Sequence, residues 1–172
     1  MMFLSLAKVS PMGAPLRPNL GKAGLYNMEF PFEYRKLGDF AYNILSDPKD
    51  IKAYLMKWIL PEWEFDHNEA PGEHWTVAWM ERLPRMDFTL ETIRLDTICP
   101  NADLWSVEDF QTSLKERADE REVSMLRGVS IEPLLVDLNG FELMDGYTRY
   151  MVLKRYGQKE VYVYMGTTRQ NR

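Results

Sequence analysis

The apolar positions of the chain fall into blocks whose spacing predicts its elements. Over residues 32–45 they stand at 34, 37, 40, 41, 44 and 45, which is helical spacing. Gly38 weakens that helix without breaking the pattern. Ser46-Asp47-Pro48 then supplies a cap and a first turn for a second helix. Its stripe is Ile51, Tyr54, Leu55, Trp58 and Ile59, and Pro61 is expected to stop it. Together these predict an αα-hairpin over residues 32–60, its aromatic stripe serving as core. Residues 75–80, rich in β-formers, read as a strand ended by Pro84. Residues 88–98 alternate through Phe88 and Leu90. After a register change they continue through Ile93 and Leu95, as one or more strands. Cys99-Pro100-Asn101 reads as a turn. Ser106 is placed to cap a helix with Glu108 and Asp109 in its first turn. Val107, Phe110, Leu114 and Ala118 form its inner face, residues 115–122 its solvated one, and Met125 and Leu126 return to the core.

The most informative stretch is residues 141–157. An apolar strand over 141–144 leads to Asp145-Gly146, a turn signal in which glycine permits a backbone other residues resist. Thr148 is placed to cap the helix that follows, and Gly157 to close it. A helix N-terminus delivered by a strand and a tight turn suits an anion. Arg149, in the first turn, either forks onto phosphate or pairs with Asp145 or Glu142. Asp145 either holds Mg²⁺ or takes a hydroxyl proton, or else ties down the loop as an Asx-turn acceptor. Glu132, just before Pro133, either contacts the ligand or caps a strand end. Thr148 offers its hydroxyl to the same anion or only caps. Tyr147 and Tyr150 either stack on a base or pack.

Composition narrows the classes. The 172 residues carry a net charge of -5, with 45% hydrophobic and 27% charged residues. That is an ordinary globular balance and a poor one for non-specific nucleic-acid binding. Cys99 is the single cysteine, which excludes an internal disulfide and a cysteine zinc site, and it is expected to be buried. His67 and His74 lie near Asp66, Glu69 and Glu73 but lack the His-x-x-x-His spacing of a metal-binding helix face. They read as part of a solvated acidic loop. Residues 10–24, dense in Pro and Gly, are expected to be an irregular, mobile loop. Gly21-Lys22 lacks the spacing and the following Ser/Thr of a phosphate loop. No apolar run approaches a membrane span, so no membrane partner is expected and a cytoplasmic location is.

Asp145-Gly146-Tyr147-Thr148-Arg149-Tyr150 resembles the signature turn of the ParB/sulfiredoxin superfamily. Upstream, Gly128 and the Glu132-Pro133 pair before an apolar strand are similar to the family pattern. Downstream, Gly157 and residues 160–164 are similar to its closing glycine and last strand. The likeness covers residues 88–166. Tyr147 stands where sulfiredoxins carry a reactive cysteine and ParB proteins an acidic residue. The turn is nearest by letter to the free-serine kinase branch, Asp-Gly-His-His-Arg-Tyr, with both histidines replaced.

The resemblance implies an α+β fold, a small mixed sheet with packed helices over 88–172. Residues 1–87 read as an extension that holds the 10–24 loop and the helical hairpin. The resemblance also implies a nucleotide (ATP, ADP or CTP) and Mg²⁺ as cofactors. Gly146, Tyr147, Thr148 and Arg149 would bind the nucleotide. Asp145 and Glu132 would be catalytic, with Asp145 on the metal. Such a domain would hydrolyse the nucleotide or pass its phosphoryl group to a small hydroxyl compound. The alternative is a non-catalytic regulatory or DNA-associated adaptor of the same fold. ParB proteins read DNA through a helix-turn-helix region after this domain. The given sequence leaves no room for one, so direct DNA binding is expected only with a partner.

Overall fold

The computed structural model describes residues 29–69 and 74–169. The predicted 10–24 loop and Gly21-Lys22 lie outside the described residues. In place of the predicted helix over 32–45 stands a β-hairpin, β1 (Glu33–Leu37) and β2 (Phe40–Ile44), paired antiparallel. Leu37 pairs with Phe40, which leaves Gly38 and Asp39 as the turn, and Gly38 takes φ +60°. All five residues of β2 are buried, Asn43 included, so the strand shows no two-residue alternation and its apolar spacing imitates a helix. Asn43 N donates to Ile131 O and Ile131 N to Ala41 O, both at 2.9 Å, which moors the hairpin to the C-terminal half.

The second arm is helical as expected. Asp47 accepts from Lys49 N at 2.7 Å at the head of α1 (Pro48–Tyr54), and Pro48 occupies the first turn. Pro61 does not stop the run. A π turn, Leu55–Ile59, follows α1, and α2 (Leu60–Glu69) follows the turn with Pro61 as its second residue. A proline ring crowds the carbonyl four residues back and has no N–H to offer. The wide turn, in which Leu60 N reaches Leu55 O, relieves that conflict. The expected loop at 62–69 is therefore helix, with Trp63 buried.

α3 (His74–Arg82) replaces the strand predicted at 75–80. Burial there recurs at Thr76, Trp79 and Leu83, three and four residues apart, and packing overrides β propensity. β3 (Met86–Arg94) pairs with the last strand without a register change, from Met86–Thr168 to Arg94–Glu160. Cys99-Pro100 is not a turn but β4 (Cys99–Pro100), and Cys99 is exposed rather than buried. Asn101 caps α4 (Ala102–Trp105), which Ser106 closes. Val107, not Ser106, sits at the N-cap of α5 (Glu108–Leu126), whose first turn holds Glu108 and Asp109.

β5 (Leu134–Asp137), β6 (Glu142–Asp145), α6 (Tyr147–Arg155) and β7 (Glu160–Thr168) follow among the described residues. The main sheet runs in the order β3-β7-β5-β6-β4. Its pairings alternate: antiparallel β3–β7, parallel β7–β5, antiparallel β5–β6 and parallel β6–β4. The fold is α+β, a small mixed sheet with packed helices. One hydrophobic cluster joins the arm, through Ile51, Tyr54 and Leu55, to Leu135, Leu143 and Tyr164 of the sheet. No described helix is long and apolar enough to cross a membrane.

Candidate functional site

β6 delivers Asp145 to the edge of the core, and Gly146 turns the chain into α6. Gly146 is the N-cap in a left-handed conformation, φ 98° and ψ 28°, and Tyr150 N donates to its carbonyl at 2.8 Å. A Cβ there would lie 2.7 Å from Leu134 Cδ2 and 2.9 Å from Arg149 Nη2. Both backbone shape and space therefore require glycine. Thr148 stands inside the first turn rather than at its cap.

Arg149 points inward, its side chain 5% exposed. Nη1 donates to the main-chain carbonyls of Glu132 at 2.6 Å and Pro133 at 3.1 Å, and reaches Glu132 Oε2 at 3.4 Å. Nη2 donates to Asp145 Oδ2 at 3.0 Å. Glu132 is held from its other side by the Tyr54 hydroxyl, which donates to Oε1 at 2.8 Å. The three residues singled out in sequence, Glu132, Asp145 and Arg149, thus meet in one cleft. Tyr54, Leu55 and Ile59 of the arm line it, with Tyr164 of β7. The cleft leaves a cavity of about 10 Å³, roughly the room of a single water molecule.

Tyr147 and Tyr150 are both buried. The Tyr147 hydroxyl donates to Leu143 O at 2.8 Å and accepts from Asn101 N at 2.9 Å. Its ring stacks at 6.4 Å on Trp79 and meets Phe110 edge-on at 5.6 Å. Burial pushes its phenol well above the usual tyrosine range. Burial does the same to Tyr164, whose oxygen accepts from Leu45 N at 3.0 Å.

Glu142 is not the partner of Arg149. It accepts from Arg82 Nη2 at 2.9 Å and from Trp79 Nε1 at 2.5 Å, while Arg82 Nη1 reaches the buried Asp137 at 2.8 Å. This second cluster fastens α3 to the ends of β5 and β6. Sequence reasoning missed both it and Tyr54. Tyr54 was legible only as one member of an apolar stripe, and nothing local marks where its hydroxyl goes.

Among the described residues no group of three or more His, Cys, Asp or Glu could hold a metal ion. His67 lies in α2, and the side chain of His74 falls outside the described set. The cluster does not fit a nucleotide in its present form. A phosphate approaching Arg149 would meet two carboxylates, and the cleft lacks the volume for a base and sugar.

No protein-family model and no curated protein matches the chain. Among solved structures it is similar to the C2221 form of a Pnob8-like ParB N-domain, at 24% identity and a TM-score of 0.38. That match covers 48% of this chain and 30% of that chain. It is also similar to a pNOB8-like ParB N-domain, again at 24% identity and a TM-score of 0.38, over 49% of this chain and 29% of that one. The chain therefore spans under a third of the length of the solved chains it matches.

Proposed function

We propose that the chain is a ParB-like module that acts without catalysis, as a regulatory or DNA-associated adaptor, and that its turn is held closed by its own side chains. The family reading rests on the strand, the Asp145-Gly146 turn, α6 and the closing β7 within a mixed sheet. One observation carries the non-catalytic part: the guanidinium of Arg149 is spent on four protein acceptors at 5% exposure. A donor set already satisfied and desolvated gains little by exchanging those partners for a phosphate.

A phosphotransferase or nucleotidase reading is favoured by a different fact. Glu132, Asp145 and Arg149 converge beside a helix N-terminus. In that reading Asp145 would hold Mg²⁺ and Glu132 would take the hydroxyl proton. A thermal-shift panel of ATP, ADP, CTP and GTP with Mg²⁺ separates the two, because a ligand of the native state raises the midpoint by mass action. The adaptor reading expects no shift and no nucleotide consumption. Consumption of any nucleotide overturns it.

A further inference from the structure

β1 presents a strand edge whose charges are laid out to receive one partner. Leu37 faces Phe40 across the two-residue turn, and the pairing runs through Lys36–Ala41, Arg35–Tyr42 and Tyr34–Asn43 to Glu33–Ile44. In an antiparallel pair, residues that exchange main-chain bonds alternate with residues that do not. Ala41 and Asn43 turn theirs away from β1: Asn43 N donates to Ile131 O, and Ile131 N to Ala41 O. Their partners Lys36 and Tyr34 therefore point N–H and C=O outward, along the far edge of β1. Among the described residues no strand pairs with that edge. Four of the five residues of β1 are exposed, and Tyr34, at 62%, is more exposed than any other large apolar side chain described. An edge of this kind is a template for another extended chain.

The charges decide which chain. Glu33 and Arg35 stand two apart on one face of β1, paired at 2.9 Å and each about half exposed. A second copy laid antiparallel must set outward-facing residues against outward-facing residues. With Tyr34 opposite the partner's Tyr34, Glu33 meets the partner's Arg35 on both sides of the two-fold axis. The next register one way sets Arg35 against the partner's Arg35. The next register the other way sets Glu33 against the partner's Glu33. Like charges directly opposite are destabilising and unlike charges stabilising. One register is thus attractive and both its neighbours repel, which is how a strand pair becomes specific.

We infer that β1 docks a second copy of this chain, antiparallel and two-fold symmetric, with Tyr34 on the axis. The two hairpins join into one four-stranded sheet, β2-β1 with the partner's β1-β2. Such a contact is isologous and closes on itself, so it stops at the dimer. It concerns the hairpin alone and stands whatever the turn at Asp145 does chemically.

Sedimentation velocity of the full chain at concentrations up to about 1 mM tests it, with the parent compared to Glu33→Arg, Arg35→Glu and Tyr34→Pro. The parent is expected to dimerise as concentration rises, and the amides of Tyr34 and Lys36 to exchange more slowly as it does. Glu33→Arg and Arg35→Glu each place like charges opposite one another in their own dimers, so each alone should stay monomeric. Mixed in equal parts they restore both unlike pairs and should form a heterodimer. Tyr34→Pro removes an outward N–H that β2 does not use, so the hairpin survives and the dimer does not. Thermal unfolding shows which variants are folded, and Tyr34→Pro decides alone should the charge variants fail. A parent that is monomeric throughout overturns the proposal, and slow exchange at Tyr34 and Lys36 in that monomer would mean that the chain's own residues 1–28 or another segment cover the edge. A dimer that persists in folded Tyr34→Pro, or a mixture of the charge variants that stays monomeric, overturns it as well.

Discussion

Arg149 Nη1 lies 2.6 Å from the main-chain carbonyl oxygen of Glu132, a residue seventeen positions earlier. The guanidinium therefore crosslinks the head of α6 to the chain entering β5. Main-chain acceptors cannot be moved without moving the strand, which makes this bond part of the fold. Arg149→Ala would remove the guanidinium that pairs with the Glu132 and Asp145 carboxylates. The expected loss is about 3–5 kcal/mol, or roughly 6–20 °C in midpoint for a chain of this size. Arg149→Lys keeps the charge, loses the fork, and should fall between. Thermal unfolding of the three proteins, with phosphate titration alongside, checks the order. A full midpoint in Arg149→Ala would remove the crosslink from the account.

Gly146 and Gly157 both take positive φ, at +98° and +62°, but only Gly146 is crowded. Leu134 and Arg149 stand where its Cβ would go, whereas nothing lies within 4 Å of the Cβ position at Gly157. The left-handed conformation alone costs an L-residue about 1–2 kcal/mol. Gly157→Ala should cost about that much, and Gly146→Ala about 1–2 kcal/mol more through displaced packing. Denaturant unfolding of the two variants measures the gap. Equal losses would mean that Leu134 and Arg149 yield freely.

Three phenols, Tyr42, Tyr147 and Tyr164, are raised far above their ordinary value, in each case chiefly by burial. In the unfolded chain they ionise near pH ~10. Above that pH the unfolded state has lost protons that the folded state still holds, so folding stability falls as pH rises. Their contribution is complete below pH ~10 and is lost progressively above it. Alkaline titration followed by tyrosinate absorbance should show these phenols ionising together with unfolding. Smooth ionisation of all tyrosines in a protein that stays folded would contradict the buried placement.

The sequence shows the site more clearly than the fold around it. Asp145-Gly146 and Arg149 are legible because the turn chemistry is local: a positive φ needs glycine, and a helix follows. The partners of Arg149 are not local. Nothing near residue 132 marks that its main-chain oxygen faces residue 149, or that Tyr54 closes the other side. The hairpin at 33–44 is misread because β2 is buried on both faces, which erases the two-residue alternation. Residues 75–80 are misread for the opposite reason. Their β-forming side chains serve a helix once Trp79 finds Tyr147 and Glu142.

Cys99 illustrates how composition misleads about one atom. A single cysteine in a globular chain is usually buried, yet β4 lies at the sheet edge and leaves Cys99 exposed. A disulfide-exchange reagent should titrate one thiol per chain in the native protein, at a rate within about tenfold of that in denaturant, because access is not limiting. A native thiol that reacts only after unfolding would place Cys99 inside.

Asp145 separates the two functional readings most sharply. Its Oδ2 accepts from Arg149 at 3.0 Å, and its side chain is 16% exposed. In the closed turn this carboxylate is a counter-charge and a tether. Asp145→Asn keeps an acceptor oxygen while removing the charge. It should cost about 1–3 kcal/mol, the difference a charged acceptor makes. Neither parent nor variant should then consume ATP or CTP in the presence of Mg²⁺. The catalytic reading requires otherwise. To hold Mg²⁺, Asp145 must turn away from Arg149, and the charge becomes indispensable because the metal takes hard anionic oxygens. The parent would then consume nucleotide, and Asp145→Asn would abolish consumption while unfolding at nearly the same midpoint. Coupled measurement of turnover and thermal unfolding in both proteins distinguishes a tether, which registers in stability, from a metal ligand, which registers in rate.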